Sequence, residues 1–186
     1  MSELSKVTSI ILPLAQWDEI TAHCRRKLAG EFLEGETPVR RAYGMVTGRI
    51  DGSCAKACMI VPFRKNARTV EPLKSYMDKM MERYAIPSKT PMEQRGWITD
   101  PEELLGCYDL CDQKGLTALG TYHMHTVAWD HDPLRDTPTR LDRVLAASSG
   151  LFMFVISFVR PTQPVIRAFY EGDIDQEVPV VFEGEC

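Results

Sequence analysis

One stretch constrains this chain more than any other. Asp100-Pro101-Glu102-Glu103 has the form of a helix start, with Asp as N-cap, Pro at the first helical position and Glu in the first turn; Lys114-Gly115 has the form of its end. The apolar run Leu116 to Tyr122 that follows reads as a strand and delivers His123-Met124-His125 at its tip. Successive side chains of a strand point to opposite faces, so histidines in an i, i+2 relation project from the same side of the pleat and both rings can reach one ion. After a polar loop comes Pro138-Thr139-Arg140-Leu141-Asp142, at the start of a helical pattern running from Thr139 to Ala147. Asp142 would complete a set of three ligands; Asp136 competes for that place, and the spacing from Thr139 favours Asp142. Three protein ligands leave one tetrahedral position for water, the open arrangement of a catalytic zinc site. A histidine at a strand end is more often hydrogen-bonded structure than ligand, and Thr139 could serve only as an N-cap. It is the joint pattern, in this order, that points to a divalent metal.

The remaining patterns are those of a mixed α/β domain. After the apolar opening Ile10 to Leu12, Pro13 starts a helical repeat with Trp17, Ile20, Cys24 and Leu28 on one face, predicted to run to about Glu34 and to break at Gly35. Arg41 to Thr47 reads as a strand closing at Gly48, followed by a turn at Asp51-Gly52 and a second strand through Ala57 to Val61. Leu73, Tyr76, Met77, Met80, Met81 and Tyr84 mark an amphipathic helix whose Met-rich face suits core packing better than a partner groove. Pro87, Pro91 and Gly96 punctuate a polar stretch, so residues 65–99 read as an insertion or lid on a single domain spanning residues 1–186. Two final strands are expected at Leu151 to Val159 and Val165 to Tyr170.

Bulk properties exclude several function classes. The formal net charge is -4 and charges of both signs are interleaved, so no basic stripe suggests nucleic acid as partner. No apolar run is long enough to cross a bilayer, which makes a cytoplasmic protein the expectation and leaves the membrane out as a partner. Cys24, Cys54, Cys58, Cys107, Cys111 and Cys186 read as reduced thiols without an assigned role. His23 reads as a structural helix residue, and His131 with Trp129 as part of a polar rim around a cleft. Substrate identity and oligomeric state stay open.

His123-x-His125, the loop and Thr139-x-x-Asp142, together with the helix and strand that lead into them, resemble the JAMM/MPN-plus metallopeptidase family, whose pattern is His-x-His, a loop, then Ser-x-x-Asp, with a Glu from an early strand. The stretch Ala42-Tyr43-Gly44-Met45-Val46-Thr47-Gly48 resembles the Gly-x-x-x-Gly strand near that family's start, and the likeness covers most of the chain. It implies a cytidine-deaminase-like (JAB/MPN) three-layer domain, a mixed sheet between helices. It also implies zinc on His123, His125 and Asp142, and hydrolysis of amide or isopeptide bonds in a protein or peptide, a ubiquitin-like or sulfur-carrier protein among them. Deaminase chemistry itself is set aside, because the Pro-Cys-x-x-Cys element is lacking.

The sequence departs from the family pattern at four places. Thr126 follows the second His where Pro is usual, the loop is longer, and Thr139 replaces Ser, keeping the hydroxyl that by resemblance helps hold a developing oxyanion. Three residues before Gly44, where the family Glu is expected, stands Arg41, and a guanidinium cannot accept a proton from water. Glu36 is the nearest upstream carboxylate able to stand in as general base, with Gly35 and Pro38 shaping a loop around it. Losing a positioned base lowers a hydrolytic rate by about 10²- to 10⁴-fold. The alternative reading is therefore an inactive MPN-type protein-binding module that keeps the fold, with or without the metal.

Overall fold

The computed structural model describes residues 2–88 and 90–183. Its frame is one eight-stranded mixed sheet, ordered β7-β6-β5-β4-β2-β3-β1-β8. In chain order the elements are β1 (Ser9–Pro13), α1 (Leu14–Ala29), β2 (Tyr43–Asp51), β3 (Cys54–Pro62), α2 (Leu73–Tyr84), α3 (Pro101–Lys114), β4 (Thr117–His125), α4 (Arg140–Ala146), β5 (Phe152–Ser157), β6 (Val165–Tyr170), β7 (Glu177–Val178) and β8 (Val180–Glu183). β2 runs antiparallel to both β3 and β4, while β4 and β5 are parallel, as are β1 and its neighbours β3 and β8. The fold is thus mixed α/β, as the element pattern indicates.

Helices cover both faces. On one, Ile20 and Cys24 of α1 pack with Ile10, Val46, Tyr122, Met124, Phe152, Phe154 and Ile156 in the main core. On the other, Cys107 and Cys111 of α3 pack with Met45, Phe63 and Ala118. Met153, Val155 and Phe169 continue that second face toward Ala146 of α4. The alternation along β4 is reset by an irregularity opposite Val46 and Thr47, where Leu119 is the extra residue between the pairs Gly120–Val46 and Ala118–Thr47. Leu119 and Tyr122, three apart, therefore share the α1 face, which leaves His123 and His125 to the α3 face.

Several expected boundaries move. α1 stops at Gly30, not near Glu34, because Gly30 takes a left-handed conformation (φ 81°) and its N–H closes back on the Lys27 carbonyl. β2 runs on past Gly48 to Asp51, and the apolar opening is itself a strand, β1, paired on both sides. Asp100 caps α3 as expected, its carboxylate accepting from the N–H groups of Glu102 and Glu103. The segment 65–99 folds around Arg68, which is buried within hydrogen-bonding reach of Asp78, Met81 and the carbonyls of Lys74, Met92 and Arg95. Met77 and Met81 of α2 are core residues, as their pattern suggests. No helix among the described residues is long and apolar enough to cross a membrane.

Candidate metal centre and its cavity

β4 is central in the sheet, hydrogen-bonded to β2 and β5 along its length, so its C-terminal residues are fixed from both sides. His123 pairs with Tyr43 and Val155, and His125 with Ser157. Both rings project from the α3 face and their Nε2 atoms come within 3.0 Å of each other. Asp142, in the first turn of α4, brings Oδ2 to 3.7 Å from each Nε2. Among the described residues these three form the only His/Cys/Asp/Glu group whose candidate ligand atoms converge in this way. In a tetrahedral zinc site with ligand bonds of about 2.0–2.2 Å, neighbouring donors stand about 3.3 Å apart. The observed separations straddle that spacing.

The tautomer of His125 is set by its second nitrogen. Nδ1 lies 2.9 Å from the Arg135 carbonyl oxygen, which can only accept, so Nδ1 carries a proton and Nε2 is the nitrogen turned toward His123 and Asp142 as the ligand atom. Burial, reinforced by the charges of Arg135 and Arg41 against the opposing pull of Asp142, holds the His123 pKa down to about 4. Burial pushes the Asp142 carboxyl up, but the two imidazoles and the Thr139 N–H outweigh it and keep the group ionised, below the usual carboxylate range. Two imidazoles and one carboxylate match zinc's preferences.

Asp142 is positioned by α4 itself. Thr139 is the N-cap, its hydroxyl accepting from the Asp142 N–H at 3.2 Å while Asp142 Oδ2 accepts from the Thr139 N–H at 2.8 Å. This reciprocal box fixes the carboxylate with one oxygen toward the histidines. Asp136, the competing ligand in the sequence, instead pairs with Arg167 at 3.2 Å. His131 lies beside Trp129 and stays outside the group.

Glu36 is not brought to this site. Its side chain is buried on the α1 side, bonded to Arg26 (2.6 and 3.0 Å), Lys27 (3.1 Å) and the Leu33 N–H (2.9 Å). Burial raises its pKa, but those donors more than reverse the effect and leave it at about 2. A carboxylate so engaged, on the far face of the sheet, does not serve as general base at the histidines.

The cluster opens into a cavity of about 550 Å³. Its walls come from β2 and β4, from α4, and from the 65–99 segment, which contributes Met81, Ile86, Arg95 and Trp97. Trp97 stacks on Tyr43 at 4.4 Å and Tyr43 lies over His123 at 6.5 Å, pinning that segment against the site. Arg41 also lines the cavity, and its charge bears on His123, Arg95 and Arg135. The residue that departs from the family pattern thus faces the histidines. Arg135 is one the sequence gave no reason to single out: it adopts φ 50° after a turn held by Asp132, and its guanidinium lies 3.4 Å from the Trp129 ring centre. A positive φ at a non-glycine residue carries no sequence signature, and the packing partners lie in a loop.

No protein-family model matches the chain, and no curated protein matches it. Many solved structures match the chain, these two among them. A solution structure of a protein from Desulfitobacterium hafniense is 22% identical, with a TM-score of 0.62 over 95% of this chain and 94% of that one. A solution structure from Salinibacter ruber is 18% identical, with a TM-score of 0.49 over 94% and 92% of the two chains. The first likeness is one of fold alone, over nearly the whole length.

Proposed function

We propose that this chain is a zinc-dependent hydrolase of amide or isopeptide bonds, of JAMM type on a cytidine-deaminase-like scaffold, acting on a protein or peptide. The observation that carries the reading is the convergence of His123 Nε2, His125 Nε2 and Asp142 Oδ2 at the wall of an open cavity, with His125 tethered from behind by the Arg135 carbonyl. Zinc held there would polarise a carbonyl and lower the pKa of a water toward neutrality. The chain's own residues supply orientation: the Arg135 carbonyl sets the His125 tautomer, the Thr139 box aims Asp142, and Tyr43 with Trp97 walls one side.

One observation favours a second reading, a metal-bearing binding module without peptidase activity. Among the described residues Asp142 is the only carboxylate lining the cavity, Glu36 is sealed elsewhere, and Arg41 stands where a proton acceptor is expected. Elemental analysis of the purified protein, His123→Ala and Asp142→Ala separates these readings when combined with an isopeptide-cleavage assay. About one zinc per chain, lost in both variants, with cleavage in the wild type, is the expected result. Zinc without cleavage selects the metal-bearing binding module, and absence of zinc uptake by the wild type removes the hydrolase and leaves a binding module without the metal.

A further inference from the structure

The lining of the cavity is cationic in a chain that is acidic overall. Its described charged residues are Arg41, Arg95, Arg135 and Asp142, three cations against one anion, or a formal +2, where the whole protein carries -4. Neither Arg41 nor Arg95 has a carboxylate partner among the described residues, and the only side-chain hydrogen bond from Arg95 runs from Nη2 to the Ile86 carbonyl at 2.8 Å. Arg135 is 7% exposed, yet its Nε and Nη1 have no hydrogen-bond partner. Asp132 makes an ion pair with Nη1 at 3.7 Å, too long for a hydrogen bond, and its oxygens already accept from the Arg135 N–H and the Thr137 hydroxyl, so the charge is partly balanced while the N–H donors stay unused.

Arg68 provides the internal control. It is buried in the neighbouring 65–99 segment, and there the fold surrounds the guanidinium with Asp78 and three carbonyls. The chain can satisfy a buried arginine, and at Arg135 it does not. Leaving charged donors buried and unpaired is costly unless something else accepts from them. The Trp129 face fixes the plane of the Arg135 guanidinium and leaves its donor edges free.

We propose that Arg41, Arg95 and Arg135 form an oxyanion subsite that holds a carboxylate or phosphate group of the molecule processed at His123, His125 and Asp142; in naming that molecule as substrate, the proposal rests on the hydrolase reading above. Planar guanidiniums grip either group through paired N–H donors, and an arriving anion relieves the repulsion of Arg41 against Arg95 and against Arg135. Arg41 thereby gains a role at the position where the family pattern has Glu. The subsite selects for negative charge beside the scissile bond.

The test is calorimetric titration of EDTA-treated full-length protein with inorganic phosphate and, separately, glutarate at matched low ionic strength, repeated after zinc loading. Saturable binding of either probe to the metal-free protein is expected, weakened about tenfold or more by Arg135→Gln and by Arg41→Gln, and unchanged by Arg160→Gln on the outer surface. Phosphate alone binding assigns a phosphorylated substrate, and glutarate alone an acidic side chain or C-terminus. Should Arg135→Gln fail to fold, the half-buried Arg41 still decides the matter. Absence of saturable binding, or equal weakening by Arg160→Gln, overturns the subsite. Binding that requires zinc and ignores both cavity variants also overturns it while leaving the metal reading intact. Arginine-dependent binding in a protein that takes up no zinc upholds the subsite and removes the hydrolase.

Discussion

On the α1 face of the sheet, Glu36 sits between Arg26 and Lys27 and accepts a further bond from the Leu33 N–H. On the α3 face, Asp142 sits before two imidazoles, its charge acting on Arg135 while that of Arg41 acts on His123. Both carboxyls stay ionised although burial opposes it. Each cluster also has a neighbouring histidine whose pKa is held down to about 4, His23 on one side and His123 on the other. What separates the clusters is hydrogen-bonding capacity left unused. Around Glu36 the cationic donors are matched to acceptors and the ion group is closed, with His23 Nε2 alone left without a partner; around Asp142 two imidazole Nε2 atoms meet each other and the carboxylate, and two guanidinium nitrogens of Arg135 have no hydrogen-bond acceptor. The same residue types make a structural clasp when saturated and a candidate binding site when not.

Breaking the clasp should have the largest effect. Removing one partner of a buried ion group strands the others, which costs about 3–5 kcal/mol. Glu36→Ala is therefore expected to shift the urea midpoint strongly while leaving zinc content as in the wild type. Equal loss of zinc would mean that the two faces are coupled and the contrast between them false. The sign with pH follows from the depressed pKa: Glu36 contributes its stability above its ordinary value near 4.5 and loses it as pH falls toward about 2. The difference between wild type and Glu36→Ala should shrink across that window.

The open cluster was the more legible of the two, for a physical reason. His123 and His125 share a face by strand parity, and Asp142 is aimed by a cap three residues away, so each rule acts locally. α3 was legible on the same terms from Asp100, Pro101 and Gly115. Glu36 was misread as a candidate base because its partners are nine and ten residues back on a helix that ends at Gly30, so the loop returns alongside it. Arg135 was invisible because its burial depends on a left-handed turn residue and on Trp129 folding over it. β8, at the sheet edge beside β1, is held by long-range pairing with no periodicity of its own to announce it.

A smaller effect tests the histidine on the closed side. His23 is neutral when folded, since burial and the charges of Arg26 and Lys27 lower its pKa to about 4 against the pull of Glu36, and its Nδ1 is 2.7 Å from the Tyr122 hydroxyl. Unfolded, it regains its ordinary value of 6.5. Between these values the unfolded chain binds the proton and the folded one does not, so stability falls as pH drops from 6.5 to 4, by at most about 1.4 kcal/mol per pH unit from this one group. His23→Gln should flatten that slope in urea titrations of metal-free protein. An unchanged slope would place the protonation elsewhere, with His123 on the open face the first alternative.

The smallest effect separates the two duties of Thr139, which caps α4 and lines the cavity. Thr139→Ala removes the side-chain half of the box and should cost about 1 kcal/mol of stability. The other half survives, because Asp142 Oδ2 is held by the Thr139 backbone N–H. Zinc content should therefore stay near the wild-type level in Thr139→Ala, and Thr139→Ser should restore stability by returning the acceptor. Zinc lost from Thr139→Ala and recovered in Thr139→Ser would instead make the hydroxyl the positioning group for Asp142. The open cluster would then depend on its scaffold as closely as Glu36 depends on α1.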